Sequence, residues 1–275
     1  MGFPAIHLLL ALTQGVLSPI SGVFGTSTPL DLGYSQMYNL EFGEAHRTFQ
    51  AYAKAHPEDP FGPTSDSAAY LFDEFDRLDV LQTELFVDND KFQGRRKPPP
   101  DPTLRKYFKG AVAQSQKLAD DILRNSPRDR NALFSTVLTL GLQSDYLALV
   151  ENRDLASLSY TKRAGQMAER LLAVDPTCYD AYLAVGVENY VLGLKPTPVR
   201  WLLRLYGAET DKETGIQKLE LTATQGHYLL PFARLLLAVA ALRDKDRTQA
   251  KALLLNLSQA FPHNQLYRRE LSRLP

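Results

Sequence analysis

The chain of 275 residues contains a single cysteine, Cys178, so it cannot form an intrachain disulfide, and one thiol is compatible with either redox compartment. It also lacks a surplus of either charge, because 31 Lys and Arg side chains balance 31 Asp and Glu side chains. A nucleic-acid partner normally requires a basic surplus, so the composition disfavours one. The apolar fraction of 44% is typical of a globular chain and excludes an intrinsically disordered one.

Patterns that carry catalysis or metal binding are absent as well. The histidines have no metal-ligand spacing between any two of them, and the lone cysteine cannot complete a zinc site. They are His7, His46, His56, His227 and His263. The sequence holds no phosphate-binding loop, dinucleotide glycine pattern, nucleophile elbow or metalloprotease motif. We therefore predict no catalytic residue, no metal site and no cofactor.

The first 30 residues contain no Lys, Arg, Asp or Glu. An apolar run at 6–12 is followed by Pro19 and Gly22, and residues 23–25 offer a small-residue cleavage site. This stretch resembles a signal peptide that lacks its positive n-region. Residues 1–25 are therefore predicted to be removed on export to the periplasm or the exterior. The alternative is a disordered or packed tail on a cytoplasmic protein.

What the chain does contain is a repeated spacing: a small residue, an apolar residue four positions later, and a proline eight positions after that. Four copies occur: Ala45, Phe49, Pro57; Ser115, Ala119, Pro127; Ala164, Ala168, Pro176; and Ala250, Leu254, Pro262. A looser copy without the proline reads Gly215, Leu219, His227. The small residue lets a neighbouring helix approach closely, and the apolar residue one turn later fills the space beside it. The proline then ends the helix, and N-cap residue types follow at Asp59, Asp129 and Asn264.

This spacing resembles the second helix of the tetratricopeptide repeat, whose signature ends in Ala-x3-Phe followed by a proline. The resemblance covers roughly residues 35 to 274. It implies an all-α fold, a right-handed superhelix of stacked antiparallel helical hairpins that serves in binding. We expect one such domain over residues 26–275, with nine or ten helices, a loop at 87–102 and an insert at 193–210.

Within this domain the helix boundaries are predicted from apolar periodicity and capping residues. The first repeat helix is predicted at 37–56. The second is predicted at about 66–86, capped by Ser65 or Asp66 and carrying a solvated acidic face. The acidic residues of that face are Asp73, Glu74, Asp76 and Asp79.

The insert departs from the repeat and is followed by Gly-x-x-x-Asp-Lys at residues 207–212. In this respect the region 179–240 resembles the inclusion-body-clearance group of tetratricopeptide proteins. Insertions into repeats often lie on the binding face, and aromatic and arginine side chains dominate binding hot spots. We therefore predict a partner-binding site made of Tyr160, Tyr182, Asn189, Tyr190, Arg200, Trp201 and Arg204. An alternative is that the insert only caps the core between two hairpins.

Three classes of function follow. The first is a non-catalytic scaffold that binds a protein or peptide partner in the groove of the superhelix. The second is a membrane-associated or lipid-contacting protein that uses residues 199–206. The third is an enzyme with an unrecognised site. The sequence does not indicate an oligomeric state.

Overall fold

A computed structural model of the protein describes Phe24 and residues 28–80, 98–193 and 211–274. Within these ranges the chain forms eleven α-helices and no strand, which confirms the all-α prediction. They are α1 (Pro29–Tyr38), α2 (Phe42–Ala55), α3 (Phe61–Arg77), α4 (Pro102–Asn125), α5 (Arg130–Asp145), α6 (Asp154–Leu172), α7 (Tyr182–Gly193), α8 (Lys212–Gln225), α9 (Leu230–Arg243), α10 (Arg247–Ala260) and α11 (Gln265–Arg273). Consecutive helices pack against each other along the whole series.

The repeated spacing marks the packing face of every even-numbered helix from α2 to α10. Its small residues are buried in all five copies: Ala45, Ser115, Ala164, Gly215 and Ala250. The apolar residues four positions later are buried too: Phe49, Ala119, Ala168, Leu219 and Leu254. The pattern therefore identifies the contact stripe of one helix in each successive pair.

The odd-numbered helices α3, α5 and α9 are buried on more of their circumference, because apolar or small residues surround them. In the described part of the chain, one segment is long and apolar enough to cross a membrane by length and composition alone. This segment, Arg130–Val150, comprises α5 and a following π-helical turn, Tyr146–Val150. Half of its most apolar window is buried inside the fold, as in a core helix.

A second regularity lies in the turns that leave the odd-numbered helices. Four of them contain a non-glycine residue with positive φ: Leu40, Asp79, Asn152 and Lys245. After α1, α3 and α9 the next residue donates its N–H to the carbonyl five positions back, as in a Schellman cap. After α5 the bond spans six positions, from Arg153 N to Leu147 O at 2.7 Å, since the π turn adds a residue. The helix pairs thus share a turn geometry as well as a packing stripe.

Three predicted helix boundaries are wrong. The predicted helix at 37–56 starts too early, because residues 37 and 38 end α1, a turn at 39–41 follows in which Leu40 has φ of 63°, and α2 begins only at Phe42. The predicted helix at 66–86 extends too far, because α3 ends at Arg77 before a turn in which Asp79 has φ of 52°. The predicted cap at Ser65 or Asp66 lies inside α3, which begins at Phe61. Ser65 Oγ instead donates to the Phe61 carbonyl at 2.8 Å, so the hydroxyl is satisfied within the helix.

The acidic face predicted on α3 is also only partly solvated. Glu74 is 1% exposed and accepts two hydrogen bonds from Arg77, at 2.7 and 2.9 Å. Its Oε1 accepts a further hydrogen bond from the backbone N–H of Asp101 at 3.0 Å. Glu74 therefore fixes the chain just before α4 to the end of α3. The predicted loop at 87–102 is described only from residue 98 onward.

The first helix of the described fold contacts the last elements of the chain. Tyr38 donates its hydroxyl to the Tyr228 carbonyl at 2.9 Å, and Asn264 Nδ2 donates to the Tyr38 carbonyl at 2.8 Å. His227 Nε2 lies 2.6 Å from Asp31 Oδ1. Because 190 or more residues separate the partners in each contact, the series of helices closes on itself.

The turn before α9, which receives α1, is itself held by a buried carboxylate. Asp180 accepts the backbone N–H groups of His227, Tyr228 and Leu229 at 2.8 to 3.1 Å. Burial nevertheless raises the pKa of Asp180, while these three donors act in the opposite direction. One side chain before α7 thereby orders the turn on which the closure depends.

Candidate binding surface

Three faces of α5 are occupied by side chains of the neighbouring helices α6, α4 and α3. Ser144 Oγ lies 2.9 Å from Ser157 Oγ and 2.7 Å from Thr161 Oγ1, both on α6. The Tyr146 ring stacks on Phe108 of α4 at a centroid distance of 4.8 Å. Towards α3, the Phe134 ring lies 5.3 Å from Phe61. A further stripe of α5 begins at Phe134 and becomes more exposed toward the carboxyl end of the helix.

This stripe continues from Phe134 through Leu138, Gly141, Leu142 and Asp145, at helical spacings of three and four. Phe134 and Leu138 are buried, whereas the last three keep accessible surface. A Cβ added to Gly141 would meet no atom within 4 Å. We call these five residues the α5 stripe; it opens progressively toward the carboxyl end of the helix.

Asp145 ends the α5 stripe at the point where the α-helix passes into the π turn. It is surrounded by protein atoms, and this desolvation raises the pKa of its carboxyl group to about 7. In the described part of the chain the carboxyl group forms no hydrogen bond or ion pair. The residue as a whole still keeps accessible surface. π turns inside helices are often found at functional sites.

Two other odd-numbered helices carry apolar stripes of the same partly buried kind. On α7 the stripe is Leu183 and Val187, and on α9 it is Phe232 and Leu236. The α5 stripe and the α9 stripe both contact α3, because Phe134 packs against Phe61 and Phe232 packs against Phe72. We use the name inner surface for the residues of the three stripes taken together. Its charged member is Asp145.

The structure describes four of the seven residues predicted for the partner site. Tyr160 and Tyr182 are partly exposed on α6 and α7, and each ring has a cation over it, Arg163 at 5.5 Å and Lys218 at 5.2 Å. Asn189 is 1% exposed and donates to the Val185 carbonyl at 3.0 Å.

Within the described ranges the Tyr190 hydroxyl is buried without a hydrogen-bond partner, and burial raises its pKa. The other predicted residues of the site, Arg200, Trp201 and Arg204, lie outside the described residues, as does most of the insert at 193–210.

Sequence reasoning missed Asp145, although the sequence contained a usable signal. It is the single charged residue between Arg130 and Glu151, inside an otherwise apolar and neutral helix. A charged side chain in such a run is rarely buried unless it has a partner or a role.

A histidine–carboxylate pair on the other side of α3 has the first contact of a catalytic triad. His46 Nδ1 lies 2.6 Å from Asp66 Oδ1, and its ring stacks on Tyr70 with centroids 3.8 Å apart. However, His46 Nε2 is buried and has no hydrogen-bond partner among the described residues, so none of their hydroxyl or thiol groups is placed to be activated there. Among these residues the pair joins α2 to α3 and has no nucleophile.

Among the described residues, no group of three or more His, Cys, Asp or Glu side chains is arranged to hold a metal ion. Cys178 is buried, and burial raises the pKa of its thiol, which makes it less reactive. No family model, curated protein or solved structure matches the chain. The inner surface therefore has to be interpreted from its own chemistry.

Proposed function

We propose that the protein is a non-catalytic scaffold of the tetratricopeptide type, and that it binds a segment of another protein on the inner surface. The observation that carries this proposal is that apolar side chains on α5, α7 and α9, among them Leu142, Leu183 and Phe232, keep accessible surface instead of being fully buried. Apolar side chains that stay partly exposed in a concave region are typical of binding grooves.

The repeated architecture supports the same proposal. A stripe of small and apolar residues recurs on five helices, and a cap with positive φ recurs after four others. Stacked pairs of helices of this kind form a superhelix whose odd-numbered helices line the concave side. In the sequence, residues 193–210 begin at the last residue of α7, the helix that carries the stripe of Leu183 and Val187. Arg200, Trp201 and Arg204 therefore remain candidates for contacts with the same partner.

The test is a comparison of two matched substitutions in the full chain. Leu183→Asp places a charge on the inner surface, whereas Leu155→Asp places the same charge at a site that is already 87% exposed. Proteins that co-purify from native cells with the wild type are quantified for each variant after circular dichroism has confirmed its helical content. We expect at least one partner to be retained by Leu155→Asp and lost by Leu183→Asp. A partner set that is identical for both variants would refute binding at the inner surface.

A further inference from the structure

We propose that the bound segment carries a lysine or arginine flanked by apolar residues, and that Asp145 receives this cation at the open end of the α5 stripe. This inference rests on the proposed function, since it names the chemistry of the partner for the same surface. Its basis is the combination of an unpartnered carboxyl group with an apolar lining.

The charged form of the Asp145 carboxyl group is costly in free energy in its desolvated surroundings. A buried or half-buried carboxylate normally has an ion pair or several N–H donors, because desolvation otherwise disfavours its charged form. Glu74 and Asp180 in this protein both meet that requirement, with Arg77 and three backbone N–H groups respectively. Asp145 has no such partner in the described residues. A carboxyl group in this condition, on a residue that keeps accessible surface, is suited to a partner that arrives from outside.

The Asp145 carboxyl group favours a cationic ligand over a neutral hydrogen-bond donor. Desolvation raises the pKa of the Asp145 carboxyl to about 7, so near neutral pH a small interaction is enough to ionise it. An incoming ammonium or guanidinium group stabilises the ionised form and displaces the proton, and charge-assisted hydrogen bonds are about twice as strong as neutral ones. Asp145 is also the single charged residue on the three described stripes. No cationic side chain on those stripes therefore pairs with it in place of the ligand.

The residues beside Asp145 are suited to the apolar part of a cationic side chain. Lysine and arginine bury their methylene stems along apolar surface while the charged end reaches a polar partner. Leu138 and Leu142 precede Asp145 on the α5 stripe by seven and three residues, on the same side of the helix. A cationic side chain flanked by apolar residues therefore matches both parts of the surface.

The experiment is a selection from a phage-displayed library of random peptides against the full-length protein. The targets are the wild type, Asp145→Asn and Leu183→Asp, each first shown to melt cooperatively. Val187→Asp replaces Leu183→Asp if the latter does not fold. We expect the wild type to enrich Lys or Arg flanked by apolar residues. We expect Asp145→Asn to enrich apolar peptides without the cation, and Leu183→Asp to enrich neither.

An enriched peptide is then synthesised and measured by titration calorimetry. We expect Asp145→Asn to weaken its binding by about tenfold and to abolish proton release on binding at pH 7. Equal cation enrichment by the wild type and Asp145→Asn would overturn the inference. Apolar peptides that depend on Leu183 but show no cation would overturn it and leave the proposed function intact. If no enriched peptide depends on Leu183, both proposals fail.

Discussion

Gly186 on α7 and Gly215 on α8 face each other where the two helices meet. A Cβ on Gly215 would lie 3.0 Å from the Gly186 carbonyl oxygen and 2.6 Å from the backbone nitrogen of Tyr190. A Cβ on Gly186 would lie 3.0 Å from the Gly215 carbonyl oxygen. Backbone atoms cannot rotate away as a side chain can, so this contact exists only because both positions lack a Cβ.

Gly215→Ala is therefore expected to destabilise the fold by about 1–3 kcal/mol, the usual cost of overpacking a tight contact. The control is Gly110→Ala, at an exposed position of α4 where an added Cβ meets nothing within 4 Å. That substitution should stabilise the protein by about 0.5–1 kcal/mol through helix propensity. Urea denaturation of both variants measures the difference. Equal midpoints would show that α7 and α8 do not approach this closely.

Lys245 has φ of 64° in the turn between α9 and α10, a conformation that glycine adopts without strain. Lys245→Gly is expected to raise the free energy of unfolding by about 0.5–1 kcal/mol. The matched control is Lys251→Gly, within α10 and exposed, which should lower it by about 1 kcal/mol. Opposite shifts in the thermal midpoint would confirm the repeated turn. Destabilisation by both changes would contradict it.

Asp145 makes stability depend on pH in a direction opposite to that of an ion-paired aspartate. Its pKa is about 7 in the folded chain and about 3.9 when unfolded, so between these values the folded state binds more protons. Stability contributed by the protonated carboxyl is present at low pH and is lost as the pH rises toward 7. Asp145→Asn removes this loss and should be more stable than the wild type by about 1–3 kcal/mol at pH 8.

The difference between the two proteins should shrink steadily from pH 8 to pH 4.5. It is measured by urea denaturation at each pH, with Asp246→Asn as a control for an exposed aspartate. A constant difference across this range would mean that Asp145 titrates normally.

The prediction of export places a cleavage site near Gly25, directly after a residue that packs in the fold. The Phe24 ring lies 5.8 to 6.4 Å from the rings of Tyr34, Tyr38, His227 and Phe261. Removal of Phe24 leaves these rings more exposed. A chain that starts at Thr26 should therefore be less stable than one that starts at Val23, by about 1–3 kcal/mol. Thermal melts of the two chains decide this point. Separately, N-terminal sequencing of natively expressed protein shows whether cleavage occurs and where.

The sequence predicted the packing better than the turns. The small and apolar anchors such as Ala45 and Phe49 were predictable because helical spacing alone determines which side chains share a face. Caps at Asp129 and Asn264 were predictable for a similar reason, since their oxygens accept from N–H groups two or three residues away. These features depend on local geometry only.

The parts that were missed depend on contacts distant in the sequence or on unusual backbone. Leu40 follows α1 with positive φ, which propensity does not assign to leucine, so the predicted helix at 37–56 ran through the turn between α1 and α2. Ser65 is a typical cap residue, but its hydroxyl bonds within α3. The role proposed for Asp145 rests on its carboxyl group having no hydrogen-bond or ion-pair partner among the described residues. Helical periodicity on its own cannot show that such a partner is missing.

The contacts of α1 with Tyr228 and Asn264 also determine how the protein unfolds. In an open array of repeats each unit contacts only its neighbours, so the end units fray first and intermediates accumulate. Here the first and last units hold each other, and neither can open without breaking hydrogen bonds to a segment at least 190 residues away. Loss of either end therefore weakens the other, and the amide protons of α1 and α11 should exchange at similar rates. We therefore expect the protein to unfold in an all-or-none manner, as a compact domain does, although its sequence carries a repeated spacing.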